Sequence, residues 1–188
     1  MNRKETTKLL GEILIHNRLL GMGKHYAKEV SVDYGTKNVK RVDFMQFVPG
    51  SCVYISNIEK GIFICYEIKS CIEDVYSGNG LNFYGEKNYI VTTMETYKRL
   101  QEDLRSGKLV QHITETNPES SMYFGVMVPI PYMTDVYDEY ENPTPLNKDI
   151  KWELKAILPC REGPRKRSMS ELLFYMLRSK HSYSNMEE

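Results

Sequence analysis

Several things this chain lacks narrow what it can be. No stretch approaches the roughly 20 apolar residues needed to span a bilayer, so no membrane association is expected. The first residues, MNRKETTK, are polar, and the apolar run after them is short and interrupted, unlike a secretory leader. Cysteine is sparse. Cys52, Cys65, Cys71 and Cys160 include no CxxC pair, which argues against both a zinc site and a disulfide framework. The four histidines, His16, His25, His112 and His181, are scattered, so neither a zinc ligand set nor a histidine-based nuclease is suggested. A nucleophilic cysteine needs a paired histidine, and none lies near Cys71 in sequence. The expected compartment is reducing and cytoplasmic. Net charge is also missing: 25 basic side chains balance 25 acidic ones. That counts against a general polyanion binder but leaves room for a local basic stripe.

What is present suits one mixed α/β domain. The 188 residues suffice for a single core with a modest appendage. Residues 6–20 carry an apolar stripe of Leu9, Leu10, Ile13, Leu14 and Leu20. Lys8, Glu12 and His16 fall on another face, and Gly21 and Gly23 end the helix. Alternation predicts a strand over 40–48, closed by Pro49-Gly50. Two more strand-like runs follow, 52–58 and 62–69. Residues 75–87, with Gly78, Gly80 and Gly85, read as a loop or an interrupted helix. A short strand at 88–93 leads into a helix over 94–107, with Gly107 as its stop. Another strand is expected at 122–128, then a long proline-, tyrosine- and acid-rich loop over 129–149, open to reading as a lid, a partner site or a plain loop. Residues 150–158 read as a strand or a short helix. REGPRKR at 161–167 is a basic loop, and Ser168 with Glu171 makes a capping box for a last helix over 169–180. The organisation expected is a core over 1–128 and an extension of the same domain over 129–188.

The chemistry-bearing segment is GIFICYEIK. Period-two geometry turns Ile62, Ile64, Tyr66 and Ile68 one way and Phe63, Cys65, Glu67 and Lys69 the other. Two charges on the face of an apolar strand are costly unless paired or bound to an ion. Asp43 sits in another apolar strand, between Val42 and Phe44. If the two strands are neighbours, Asp43 and Glu67 converge, and a divalent cation resolves their repulsion. Mg²⁺ takes oxygen ligands and suits one or two carboxylates plus a substrate phosphate. It acidifies water and screens a phosphodiester, while a nearby lysine stabilises developing charge. Taken alone, Glu-X-Lys in a strand usually means a solvated sheet face or an ion pair.

The run RVDF, followed by YEIKSCIEDVYSGNGLNFYGEKNYIVTT, resembles the MmcB-like, phage-type branch of the PD-(D/E)XK nuclease superfamily. Ser70, Asp74, Gly80, Asn82, Phe83, Gly85, Lys87, Asn88 and Tyr89 stand at matching positions, and the likeness covers roughly residues 5–100. The resemblance implies a restriction-endonuclease-like core, a mixed central sheet flanked by helices, and cleavage of DNA with Mg²⁺ or Mn²⁺, in a bacterial or phage-infected cell. It implies metal ligation by Asp43, Glu67 and the Ile68 carbonyl, with Lys69 as the catalytic cation and Glu12 as an assisting acid. Lys87 and the basic cluster Arg165, Lys166 and Arg167 are candidate phosphate contacts; exposed loop side chains are the ordinary alternative. Val42 stands where the family pattern has proline, and the long gap from Asp43 to Glu67 demands an insertion or hairpin. The rival reading is a catalytically silent nuclease-fold protein that binds DNA or a protein partner. A homodimer also stays open.

Overall fold

Six strands form one sheet whose spatial order equals their order in the chain. The computed structural model describes residues 1–21, 23–50 and 55–180. The strands are β1 (His25–Val32), β2 (Lys40–Val48), β3 (Ile62–Ile68), β4 (Lys87–Val91), β5 (Gly125–Pro131) and β6 (Trp152–Leu158). β1, β2 and β3 form an antiparallel meander, β3, β4 and β5 run parallel, and β6 returns antiparallel to β5. Parallel neighbours need crossovers. Those are α2 (Ile72–Val75) with the loop to residue 86, and then α3 (Met94–Ser106) with α4 (Lys108–Thr116). The result is a mixed sheet flanked by helices, in the α/β class that the sequence pattern implies.

α1 (Arg3–Leu14) covers one face of the sheet. It starts earlier than its apolar stripe indicates because Asn2 and Glu5 form a capping box. Leu9, Leu10, Ile13 and Leu14 pack on Phe44, Tyr66, Ile68, Val91 and Trp152. Full burial of a leucine such as Leu10 or Leu14 is worth about 1.5–3 kcal/mol. The last turn widens into a π-helical turn, Ile15–Leu19. From it, Asn17 Oδ1 accepts the Leu154 N–H at 3.2 Å and Arg18 donates to the Leu154 carbonyl at 3.0 Å. These side chains occupy the outer edge of β6, which would otherwise offer unpaired backbone groups.

Two clusters fill the other face. α6 (Met169–Lys180) places Met169, Leu172 and Met176 against Val30, Val32, Met45, Phe63 and Cys65. α3 and α4 place Leu100, Leu109 and Ile113 against Ile90, Val126, Val128 and Ile130. Ser168 caps α6 with Glu171, and Gly107 ends α3 at φ 79°, both as their sequence signals require.

Other segments differ from the pattern-based reading. Residues 55–60 form a 3-10 helix rather than strand, while 51–54 of that expected run lie outside the described residues. β1 is a strand without clean alternation, its pattern broken at Glu29, which adopts φ 52°. β5 extends to Pro131, beyond the expected end at 128. Its pairing with β4 stops at Met127, so Pro129 and Pro131 lose no ladder bond on that side. The acidic segment holds a short helix, α5 (Val136–Glu141), capped by Asp135.

Candidate functional site

The β2–β3 pairing decides whether Asp43 can meet Glu67. Phe44 lies opposite Tyr66, and Met45 opposite Cys65. Extending this antiparallel register by one residue sets Asp43 opposite Glu67. The chain between them is the connection of two adjacent antiparallel strands, which accommodates the long sequence gap. Asp43 Oδ2 accepts the Ile68 N–H at 2.8 Å.

Glu67 is fully buried on the face that carries Phe63 and Cys65. Its neighbour in β4, Ile90, belongs to the α3/α4 cluster, so the carboxylate stands at the seam between the two cores. Oε1 accepts the Asn82 N–H at 3.2 Å, whereas Oε2 is buried without a hydrogen-bond partner. Burial pushes the Glu67 carboxyl well above the ordinary carboxylate range, and the nearby Asp43 charge pushes it further. Lys69 and the backbone N–H groups of Asn82 and Leu81 oppose both. Asp43, half-buried, is raised as well, first by burial, with the Ile68 N–H and Lys69 opposing. Cys65 is no rival nucleophile, since burial lifts its thiol to about 12.

Lys69 is 4% exposed and donates from Nζ to the Asn79 carbonyl at 2.6 Å. Glu67 and Lys69 are therefore not satisfied by each other. The loop after α2 closes over both. Gly80 takes φ 83°, and a Cβ there would lie 2.6 Å from Lys69 Nζ and 2.7 Å from Glu67 Oε2. Only a residue without a side chain admits this approach.

Asp43, Glu67, Ile68 and Lys69 form the floor of a cleft of about 1130 Å³. The first two turns of α1, the facing stretches of β1 and β2, and loop 77–80 wall it. Asp74 joins α2 to this frame, accepting from both Ser70 N–H and Oγ at 3.1 Å while pairing with Arg3.

The remaining candidates are not brought to this floor. Glu12 lies one turn beyond the cleft wall, partly exposed, with Lys8 at 4.0 Å. Glu12 is not among the residues that line the cleft; the helix presents Thr7 and Lys8 there. Lys87 begins β4 opposite Ile64, three residues or about 10 Å before the level of Glu67, and faces Glu162 at 3.9 Å. In the basic loop, Arg165 Nε pairs with Glu86 at 2.8 Å, Arg167 pairs with Asp33 and Glu119, and Lys166 is exposed. None of the three lines the cleft. Sequence reading missed the cations that do: Arg3, Lys4, Lys8, Lys40 and Arg41 are scattered along the chain and gather only on folding.

Among the described residues, no group of three or more His, Cys, Asp or Glu side chains is placed to hold a metal ion. Two carboxylates do converge, one with an orphaned buried oxygen. A pair of that kind suits a hard cation that completes its shell with backbone oxygen, water and substrate phosphate. No family model, curated protein or solved structure matches the chain.

Proposed function

We propose that this protein is a metal-dependent nuclease that hydrolyses phosphodiester bonds of DNA at the Asp43–Glu67–Lys69 floor. The observation that carries the reading is Glu67 Oε2, a buried carboxylate oxygen without a partner, set beside a second carboxylate and a lysine. Burying such a group costs about 1–3 kcal/mol or more, which a ligand that restores its missing partner would offset. The resemblance of the Glu-X-Lys segment to PD-(D/E)XK nucleases supplies the reaction class.

Asp43, Glu67 and the Ile68 carbonyl are the groups that would hold Mg²⁺ or Mn²⁺. When bound, such an ion lowers the pKa of water and screens the phosphodiester. Asp43 is oriented by the Ile68 N–H, and Glu67 by the Asn82 N–H, so both carboxylates are set before substrate arrives. Lys69 places a donor on the same side of the sheet as Glu67. In exchange for the Asn79 carbonyl, its ammonium can bond the attacking water or a phosphate oxygen as charge develops. The expected result is nicking of supercoiled plasmid by the purified chain with Mg²⁺ or Mn²⁺, lost with EDTA and lost in Lys69→Ala. No cleavage of DNA under any of these metals would refute it.

A second reading, a catalytically silent binding protein, draws on the Asp43–Ile68 bond, which a purely structural acid would also make. Asp43→Asn separates the two: an enzyme loses turnover with its fold intact, whereas a binder keeps its partner affinity.

A further inference from the structure

The chain is electrically neutral, yet the cleft rim is not. Above the floor, five lining side chains are cationic (Arg3, Lys4, Lys8, Lys40, Arg41) and two are acidic (Glu29, Asp74). Lys4 is exposed, and Lys8 is largely exposed with Glu12 only at 4.0 Å. Arg3 and Arg41 are held on the rim by Asp74 and Glu29.

The lining is equally informative in what it contains besides charge. Its other residues are small, hydroxyl-bearing, amide or aliphatic, and among the described residues no aromatic ring lines it. Proteins that hold single strands stack unpaired bases on aromatic rings. Proteins that dock on a duplex backbone use cations, hydroxyls and N–H groups against phosphate. The Asn82 amide is not available to read a base edge: Nδ2 donates to the Arg41 carbonyl at 2.8 Å and Oδ1 accepts from Asn117 at 2.9 Å.

We propose that this rim is the docking surface for duplex DNA, gripped through its phosphates and without regard to sequence. The basic loop 161–167 takes no part: none of its residues lines the cleft, and Arg165 and Arg167 are committed to internal ion pairs. The proposal rests on the nucleic-acid reading of the site and identifies which surface serves it.

The test is fluorescence anisotropy with the full chain in EDTA, where no turnover is expected, using a short labelled duplex and a polythymidine strand of equal length. Duplex binding at least about tenfold tighter is expected, equal for two unrelated sequences, with affinity falling steeply with salt. Lys4→Glu with Lys8→Glu should weaken duplex binding about tenfold or more and flatten the salt slope by roughly 2. Lys166→Glu should change neither. Single-strand preference, sequence dependence, absence of binding, or equal losses from Lys166→Glu and the α1 pair would each overturn the proposal. Failure of the nuclease reading looks different: the rim would bind duplex as described, yet plasmid would stay uncut with Mg²⁺ and Mn²⁺.

Discussion

Two regions of this molecule are basic, and they differ in what their cations face. Loop 161–167 is conspicuous in sequence, four basic residues in seven, but two of its three arginines, Arg165 and Arg167, turn inward. Arg165 meets Glu86 and lies over the Phe63 ring, while Arg167 bridges Asp33 and Glu119 beside Tyr84. The cleft rim is inconspicuous in sequence, assembled from α1 and β2, and its lysines face a cavity whose floor is acidic. A run of like charges can therefore be a fastening between elements, and dispersed charges can be a surface. Partners that are distant in sequence decide which.

Disturbing the floor should give the largest effect. Gly80→Ala puts a Cβ against Lys69 Nζ and Glu67 Oε2. Displacement of reacting groups by about 1 Å can cost about 10²-fold in rate, so plasmid nicking should fall by roughly that factor. The positive φ adds a stability loss of more than about 1 kcal/mol, read in a urea melt. Activity equal to wild type would mean that the loop does not position the floor.

Arg167→Ala should act in the opposite way. The half-buried Asp33 loses a charged partner, while the loss at the exposed Glu119 is small, so unfolding should become easier by about 1–2 kcal/mol. DNA affinity of the folded protein should be unchanged in anisotropy. An affinity loss without a stability loss would erase the contrast between the two basic regions.

The legible part of this structure is its local part. Strand β3 and the shared face of Glu67 and Lys69 follow from period two, and α3 with Gly107 follows from helix period and its stop. α6 follows from its capping box. What was not legible depends on pairing across the chain. The alternation of β1 is broken by the positive φ of Glu29. The 55–60 helix, ISNIEK, spaces its two isoleucines three apart as a 3-10 turn does, and the apolar run that suggested a strand lies over 52–55, ahead of it. The nearness of Asp43 to Glu67 needed the strand register, and the ion pairs of Arg165 and Arg167 reach acids 79, 134 and 48 residues away. Glu12 shows the reverse hazard: a polar stripe marks a solvated face, but not which part of that face meets the cleft.

The metal-free floor should also leave a mark on stability against pH. Asp43 and Glu67 both have folded-state carboxyls above their ordinary range. The native state therefore holds more protons than the unfolded chain, and stability should decline as pH rises above the ordinary carboxylate range. Glu67→Gln should flatten that decline in thermal melts with EDTA. A melt that rises through the same window would indicate carboxylates favoured as anions.

The smallest effect belongs to Glu12→Ala. Its i, i+4 contact with Lys8 is exposed, so the loss should be about 0.3–0.5 kcal/mol, with nicking unchanged. A large activity loss would place this acid at the floor after all.

The most direct measurement is a calorimetric titration of Mn²⁺ into wild type, Asp43→Asn and Glu67→Gln at about pH 8 and about pH 5. Wild type should bind at the higher pH and more weakly at the lower, where protons compete for the two raised carboxyls, and both variants should lose binding. No binding by wild type at the higher pH, or a Glu67→Gln titration like that of wild type, would contradict a cation site formed by Asp43 and Glu67.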